Sequence, residues 1–129
     1  MHNFEVLARL LRPEPAYREL IDTLGAGRSA GAVGVIQPAR GLVLSALAED
    51  LDRPLLVVTD TVERARQLAE ELVHWLPGRV TVFPAPEALP FERVPWSAAT
   101  VGGRLRVLMS LLRGGQERPV VIASVQALL

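Results

Sequence analysis

The chain has 129 residues, half of them hydrophobic, and 14 basic residues balance 14 acidic ones to a formal net charge of zero. That length fits one domain, or a piece of one, around a single core, and the even charge balance excludes a disordered or polyanion-binding tail. Cysteine is absent, which removes disulfides, thiolate metal sites and a cysteine nucleophile, and His2 and His74 lack ligand spacing, so no metal is expected.

Residues 1–12 mix Glu5 and Arg9 into a short apolar run that is neither a secretory signal nor a membrane span, so a cytoplasmic protein without membrane contact is predicted. Phe4, Leu7, Leu10 and Leu11 recur at helical spacing, and Leu20, Ile21 and Leu24 do so again after Pro13-Glu14-Pro15. Two short helices therefore lead the chain. Gly25, Gly27, Ser29 and Gly31 read as a flexible connection, dividing helices and linker (residues 1–30) from an α/β domain (residues 31–129).

Within that domain short apolar runs alternate with longer amphipathic ones, the signature of βαβ units and a three-layer, mostly parallel sheet flanked by helices. Residues 32–36 are the first predicted strand. Residues 41–51 follow as a helix with Leu44, Leu47, Ala48 and Leu51 on one face. Residues 55–58 are apolar, β-branched and too short for a helix, which predicts a central strand buried on both faces. Asp60 and Glu63 resemble a capping box opening a helix striped by Val62, Ala65, Leu68, Ala69, Leu72 and Val73, and Pro77-Gly78 ends it. Residues 80–83 form the third predicted strand.

The four prolines of residues 84–96 forbid a regular ladder or helix interior, so this stretch is a surface loop. Ser97 is a plausible N-cap for a helix marked by Val101, Leu105, Leu108, Met109 and Leu112 and stopped by Gly114-Gly115. Residues 119–123 are the fourth strand, and Ser124 caps the turn that follows. The run ends on Leu128-Leu129, which predicts a segment of a longer, truncated domain.

In folds of this kind phosphates bind at the first strand-to-helix junction, where backbone N–H groups face the ligand. Gly34-Val35-Ile36-Gln37-Pro38-Ala39-Arg40-Gly41 occupies that place. Against G-x-x-x-x-G-K-[ST], Gly34 matches, but Ala39 replaces the second glycine, Arg40 the lysine, and Gly41 the hydroxyl that holds magnesium. Pro38 has no N–H to donate, and a planar guanidinium does not replace a point-charge ammonium. The chain contains no lysine, so no shifted alignment restores the motif. A plain turn, with no bound cofactor, is the expected reading.

Asp60, at a strand end, has a functional reading as a site acid and an ordinary one as a helix cap. Arg104, Arg106 and Arg113 read as phosphate contacts or as a solvated face, and the balanced charge favours the latter. No serine lies in a G-x-S-x-G elbow. Phe83, Phe91 and Trp96 bring large apolar area to the proline-rich loop, which with Glu87 and Glu92 makes a possible interaction surface; the aromatics either tuck onto the body or meet a partner.

Phe83-Pro84-Ala85-Pro86-Glu87-Ala88-Leu89-Pro90-Phe91-Glu92 is similar to the stretch F-P-A-W-E-T-L-P-Y-E of transcription-repair coupling factors (the Mfd family). Residues 101–108 resemble that family's I-V-G-x-R-L-x-V-L helix, and residues 120–128 its V-V-V-A-x-V-x-A-L segment. Pro86 departs from the family's tryptophan. The resemblance implies an amino-terminal UvrB-like domain with a degenerate phosphate loop, like a helicase (RecA-like) domain that has lost its nucleotide. UvrB grips DNA with a tyrosine-rich hairpin after the third strand; Tyr17 is the only tyrosine here and lies elsewhere.

By the same resemblance the whole protein is an ATP-dependent DNA translocase that displaces RNA polymerase and recruits UvrA. Its ATP, magnesium and DNA are expected in later domains, and this segment is expected to scaffold UvrA recruitment beside other domains of the chain. The alternative is a nucleotide-binding domain that retains ATP through the degenerate loop.

Overall fold

The computed structural model describes residues 3–87, 92–113 and 118–129, with side chains from Val6 onward. The chain divides into two compact units, Met1–Arg53 and Pro54–Leu129, so the boundary falls beyond the linker at residues 25–31.

The first unit holds α1 (Asn3–Leu11), α2 (Pro15–Gly25) and α3 (Arg40–Asp50). Pro15 opens α2 because its missing N–H has no intrahelical partner at that position anyway. Gly27 closes it at φ 73°, letting Arg28 N–H reach the Thr23 carbonyl at 3.1 Å and satisfy an orphan acceptor. Asp50, at the end of α3, accepts from the Tyr17 hydroxyl at 2.8 Å and from Arg12 Nη2 at 2.8 Å. Buried Ser45 donates to the Gly41 carbonyl at 2.6 Å.

The strand predicted at residues 32–36 does not form: the segment has no ladder partner among the described residues. Val33 is 50% exposed and Ile36 74%. Strands exist through their neighbours, and Gly31, Ala32 and Gly34 offer little side chain to pack. Among the described residues the expected four strands are therefore three.

The second unit is a parallel sheet of β1 (Leu55–Thr59), β2 (Val80–Phe83) and β3 (Val120–Ser124), in the order β1-β3-β2. Leu55 and Val80 both align with Val120, and Val58 and Phe83's partner Ala123 share one level. The connections are α4 (Val62–Trp75) and α5 (Ala98–Leu112), and α6 (Val125–Leu128) follows β3. The path steps out past β3 and then back, so right-handed crossovers put α4 and α5 on opposite faces.

β3, not β1, is the central strand. All five β3 residues are buried, whereas Leu56 and Val58 of β1 are 58% and 47% exposed. Two similar apolar runs carry no signal of which one acquires two neighbours, and that is why the sequence misassigned the centre. Ala65, Ala69 and Leu72 of the predicted stripe bury the inner side of α4, with Leu76 just beyond it, whereas Val62 and Val73 of that stripe are exposed. Its cap is Thr61, whose hydroxyl accepts from Arg64 N–H at 3.2 Å; Asp60 lies one residue outside and pairs with the Arg64 side chain at 2.9 Å.

The periodicity of α5 misled in a different way. Leu105, Leu108, Met109 and Leu112, read as its core face, are 56%, 46%, 47% and 80% exposed. The helix instead turns Thr100 and Val107 inward, with Gly103 so close to the chain that a Cβ there would meet Pro84 Cγ at 2.8 Å. A smooth, small-residue side allows closer approach than a leucine stripe.

Candidate functional site

Ligands of open parallel sheets sit outside the carboxyl ends of the strands. Here those ends are Thr59, Phe83 and Ser124, and the loop after β2 rises beside them. A cleft of about 500 Å³ lies between this loop and α4, lined among others by Val62, Arg66, Phe83, Glu87, Thr100 and Ser124.

The first of its polar devices is a carboxylate clasp on α5. Ser97, predicted as N-cap, accepts from Thr100 N–H at 3.2 Å. Glu87 takes the Ser97 hydroxyl at 2.6 Å, the Ser97 N–H at 2.9 Å and the Thr100 hydroxyl at 3.0 Å. These donors, the Ser97 hydroxyl foremost, hold the Glu87 carboxyl below the usual range. A negative charge there also complements the positive end of the helix dipole.

The second device is Arg104, one turn further along. Its Nη1 donates to the Pro84 carbonyl at 2.8 Å and to the Ala127 carbonyl at 3.0 Å. Its guanidinium stands 4.2 Å from the Phe83 ring centre and 4.8 Å from that of Trp96. One cation thus ties both sides of the described loop to α5 and to the turn after β3. Contrary to the solvated face expected, Arg104 is half-buried and bonded through Nη1 to two carbonyls, while Arg106 and Arg113 are exposed.

The loop aromatics Phe83 and Trp96 meet across this guanidinium, although Trp96 remains 45% exposed. Phe91 lies outside the described residues, and Glu92 within them has further interactions of its own. Sequence reading found Ser97 by its place before an apolar run but missed that Glu87, ten residues earlier, completes the cap. It also missed Arg104 as an anchor. The adjacent Gly102-Gly103 pair was the available signal, because glycine within a helix marks close approach.

The residues of the expected phosphate loop lie in the first unit, Met1–Arg53. Gln37–Ala39 is a single 3₁₀ turn, Arg40 and Gly41 begin α3, and no side chain caps that helix start. The strand that should precede such a loop is missing, so the phosphate-loop likeness is not confirmed. Asp60 is exposed and committed to Arg64.

Ser124 Oγ accepts from Ala127 N–H at 3.2 Å, and Thr100 and Glu87 are occupied with each other, so these groups are positioned as structural links. Among the described residues no group of three or more His, Cys, Asp and Glu could hold a metal ion. Among them, too, no helix is long and apolar enough to cross a membrane.

No family model matches the chain. Curated relatives do. A transcription-repair-coupling factor of Myxococcus xanthus is 34% identical over 98% of this chain and 11% of its own length. That of Mycobacterium tuberculosis is 36% identical over 95% of this chain and 10% of its own length. That of Bacillus subtilis is 30% identical over 74% of this chain and 8% of its own length. The chain therefore spans about a tenth of the length of the relatives it matches, in an amino-terminal region.

Proposed function

We propose, for a chain homologous over nearly its whole length to an amino-terminal part of the transcription-repair coupling factors, that it is a non-catalytic scaffold domain of transcription-coupled excision repair. Its task is to hold an adjoining module in the orientation that captures the repair protein UvrA. The observation that carries this reading is the Arg104 clamp together with the Glu87 clasp. Glu87 and Arg104 spend the bonds described above on fixing the loop after β2, α5 and α6 to one another.

Catalysis needs a group left poised toward a substrate, with a base or donor in reach. A bracket needs the opposite, with hydrogen bonds closed internally, and such closure is what surrounds the cleft. Pro38, Ala39, Arg40 and Gly41 support the same reading, because they offer no ammonium for a triphosphate and no hydroxyl for its magnesium. UvrA, RNA polymerase and DNA belong, in this proposal, to other parts of the longer protein.

The test uses a full-length coupling factor carrying this segment. With Arg104→Ala, capture of UvrA is expected to fall several-fold while DNA-dependent ATP hydrolysis stays at the unmutated rate. UvrA capture unchanged in a variant shown by proteolysis to have released the loop would overturn the scaffold reading. Loss of ATP hydrolysis in step with UvrA capture would overturn it as well, by putting the segment in the motor.

A further inference from the structure

β2 is an edge strand of the three-stranded sheet. The Arg79 carbonyl accepts from Val120 N–H at 2.8 Å, which fixes the parity of the parallel ladder. Alternate residues bond to β3, so the N–H and C=O groups of Val80 and Val82 point to the open side. Unpaired edges of this kind are templates for another strand.

Beside that edge runs a groove of about 700 Å³ between β2 and α5, floored by Thr81, Val107 and Pro119. Arg106, Ser110 and Arg113 line its α5 wall, and Arg79 stands at the other side. No acidic residue is among the described residues lining it. Arg79 is already bonded to the Arg118 carbonyl at 3.2 Å, but Arg106 and Arg113 form no ion pair with the described residues and are exposed. Seven residues of helix separate them by about 10 Å, between the roughly 7 and 13 Å that part same-face residues two and four apart in an extended chain, a difference that the long arginine side chains span.

We propose that this groove takes an acidic peptide segment in extended conformation, added as a strand to the edge of β2. Backbone groups of Val80 and Val82 supply the pairing, and Arg106 and Arg113 receive carboxylates from the incoming strand's near side. The chemistry favours a peptide over a nucleic-acid strand. Among the described residues lining the groove there is no aromatic ring on which bases could stack. The chain's net charge is zero, so it lacks the surplus that phosphate-backbone binding draws on. An edge backbone is, moreover, a device that only another polypeptide uses fully.

The test is a titration of the isotope-labelled chain with a synthetic peptide of alternating glutamate and valine, followed by amide NMR. Shifts concentrated at Val80 and Val82 are expected, with slowed exchange of their amide protons. Arg106→Glu with Arg113→Glu is expected to weaken binding at least tenfold. The same peptide N-methylated on its pairing side leaves the protein untouched and is expected to lose binding to a similar degree. Binding that survives N-methylation, no shift at β2, or a single-stranded oligonucleotide that binds the groove in preference to the peptide would each overturn the proposal.

Discussion

Arg104 shows how a side chain read as surface charge becomes an internal tie. A guanidinium donating to two backbone carbonyls, bonds that contribute about 1.5–3 kcal/mol each when a charged donor is buried and less at this half-buried site, and flanked by Phe83 and Trp96, is worth more than its exposure implies. Arg104→Ala is expected to lower unfolding free energy by about 2–3 kcal/mol in urea melts. Arg104→Lys should recover less than half of the loss, because a point charge lacks the fork and stacks poorly.

Two other residues make pH signatures. Glu87 has a depressed pKa from its Ser97 and Thr100 donors. Its contribution is present above the ordinary carboxylate pKa and is lost as pH falls through the lowered one. Thermal midpoints of the unmutated chain should therefore drop on acidification more than those of Glu87→Gln. Tyr17 runs the other way. Burial first, then its bond to Asp50, raises its pKa, so its contribution is complete below about pH 10, the unfolded tyrosine value, and is lost as pH rises beyond it. Tyr17→Phe should remove that alkaline loss while lowering stability at neutral pH.

At the scale of elements, adjacent glycines of α5 give opposite expectations. Nothing lies within 4 Å of a Cβ at Gly102, whereas one at Gly103 would meet Pro84 Cγ at 2.8 Å. Gly102→Ala should stabilise by about 1 kcal/mol through helix propensity. Gly103→Ala gains the same propensity but forces Pro84 aside, an overlap that costs about 1–3 kcal/mol, so calorimetry should show no gain or a loss. An equal gain at both positions would mean that α5 does not approach the loop as described.

The elements themselves were largely legible. Helical spacing in Leu20, Ile21 and Leu24 and in Ala65, Ala69 and Leu72, the Ser97 cap, and the β-branched runs at Leu55, Val80 and Val120 all report local physics that a sequence carries. What failed was relational. Residues 32–36 lack the neighbour that makes a strand, β1 and β3 exchange the central role, and α5 turns its small side inward although Leu105 and Leu108 look like its core. The clasp of Glu87 on Ser97 spans ten residues and follows no local spacing rule. Its partner could be found only once the loop's path was known.

The molecule as a whole is two compact units homologous to about a tenth of a coupling factor. The role proposed for it is that of a bracket, because Glu87 is tied to the start of α5 and Arg104 to the Pro84 and Ala127 carbonyls. The most direct measurement is a calorimetric titration of the chain with ATP and magnesium, read in parallel by the fluorescence of Trp75 and Trp96. The account predicts no saturable heat and no change in emission through millimolar nucleotide. Saturable micromolar binding that disappears in Arg40→Ala would contradict it.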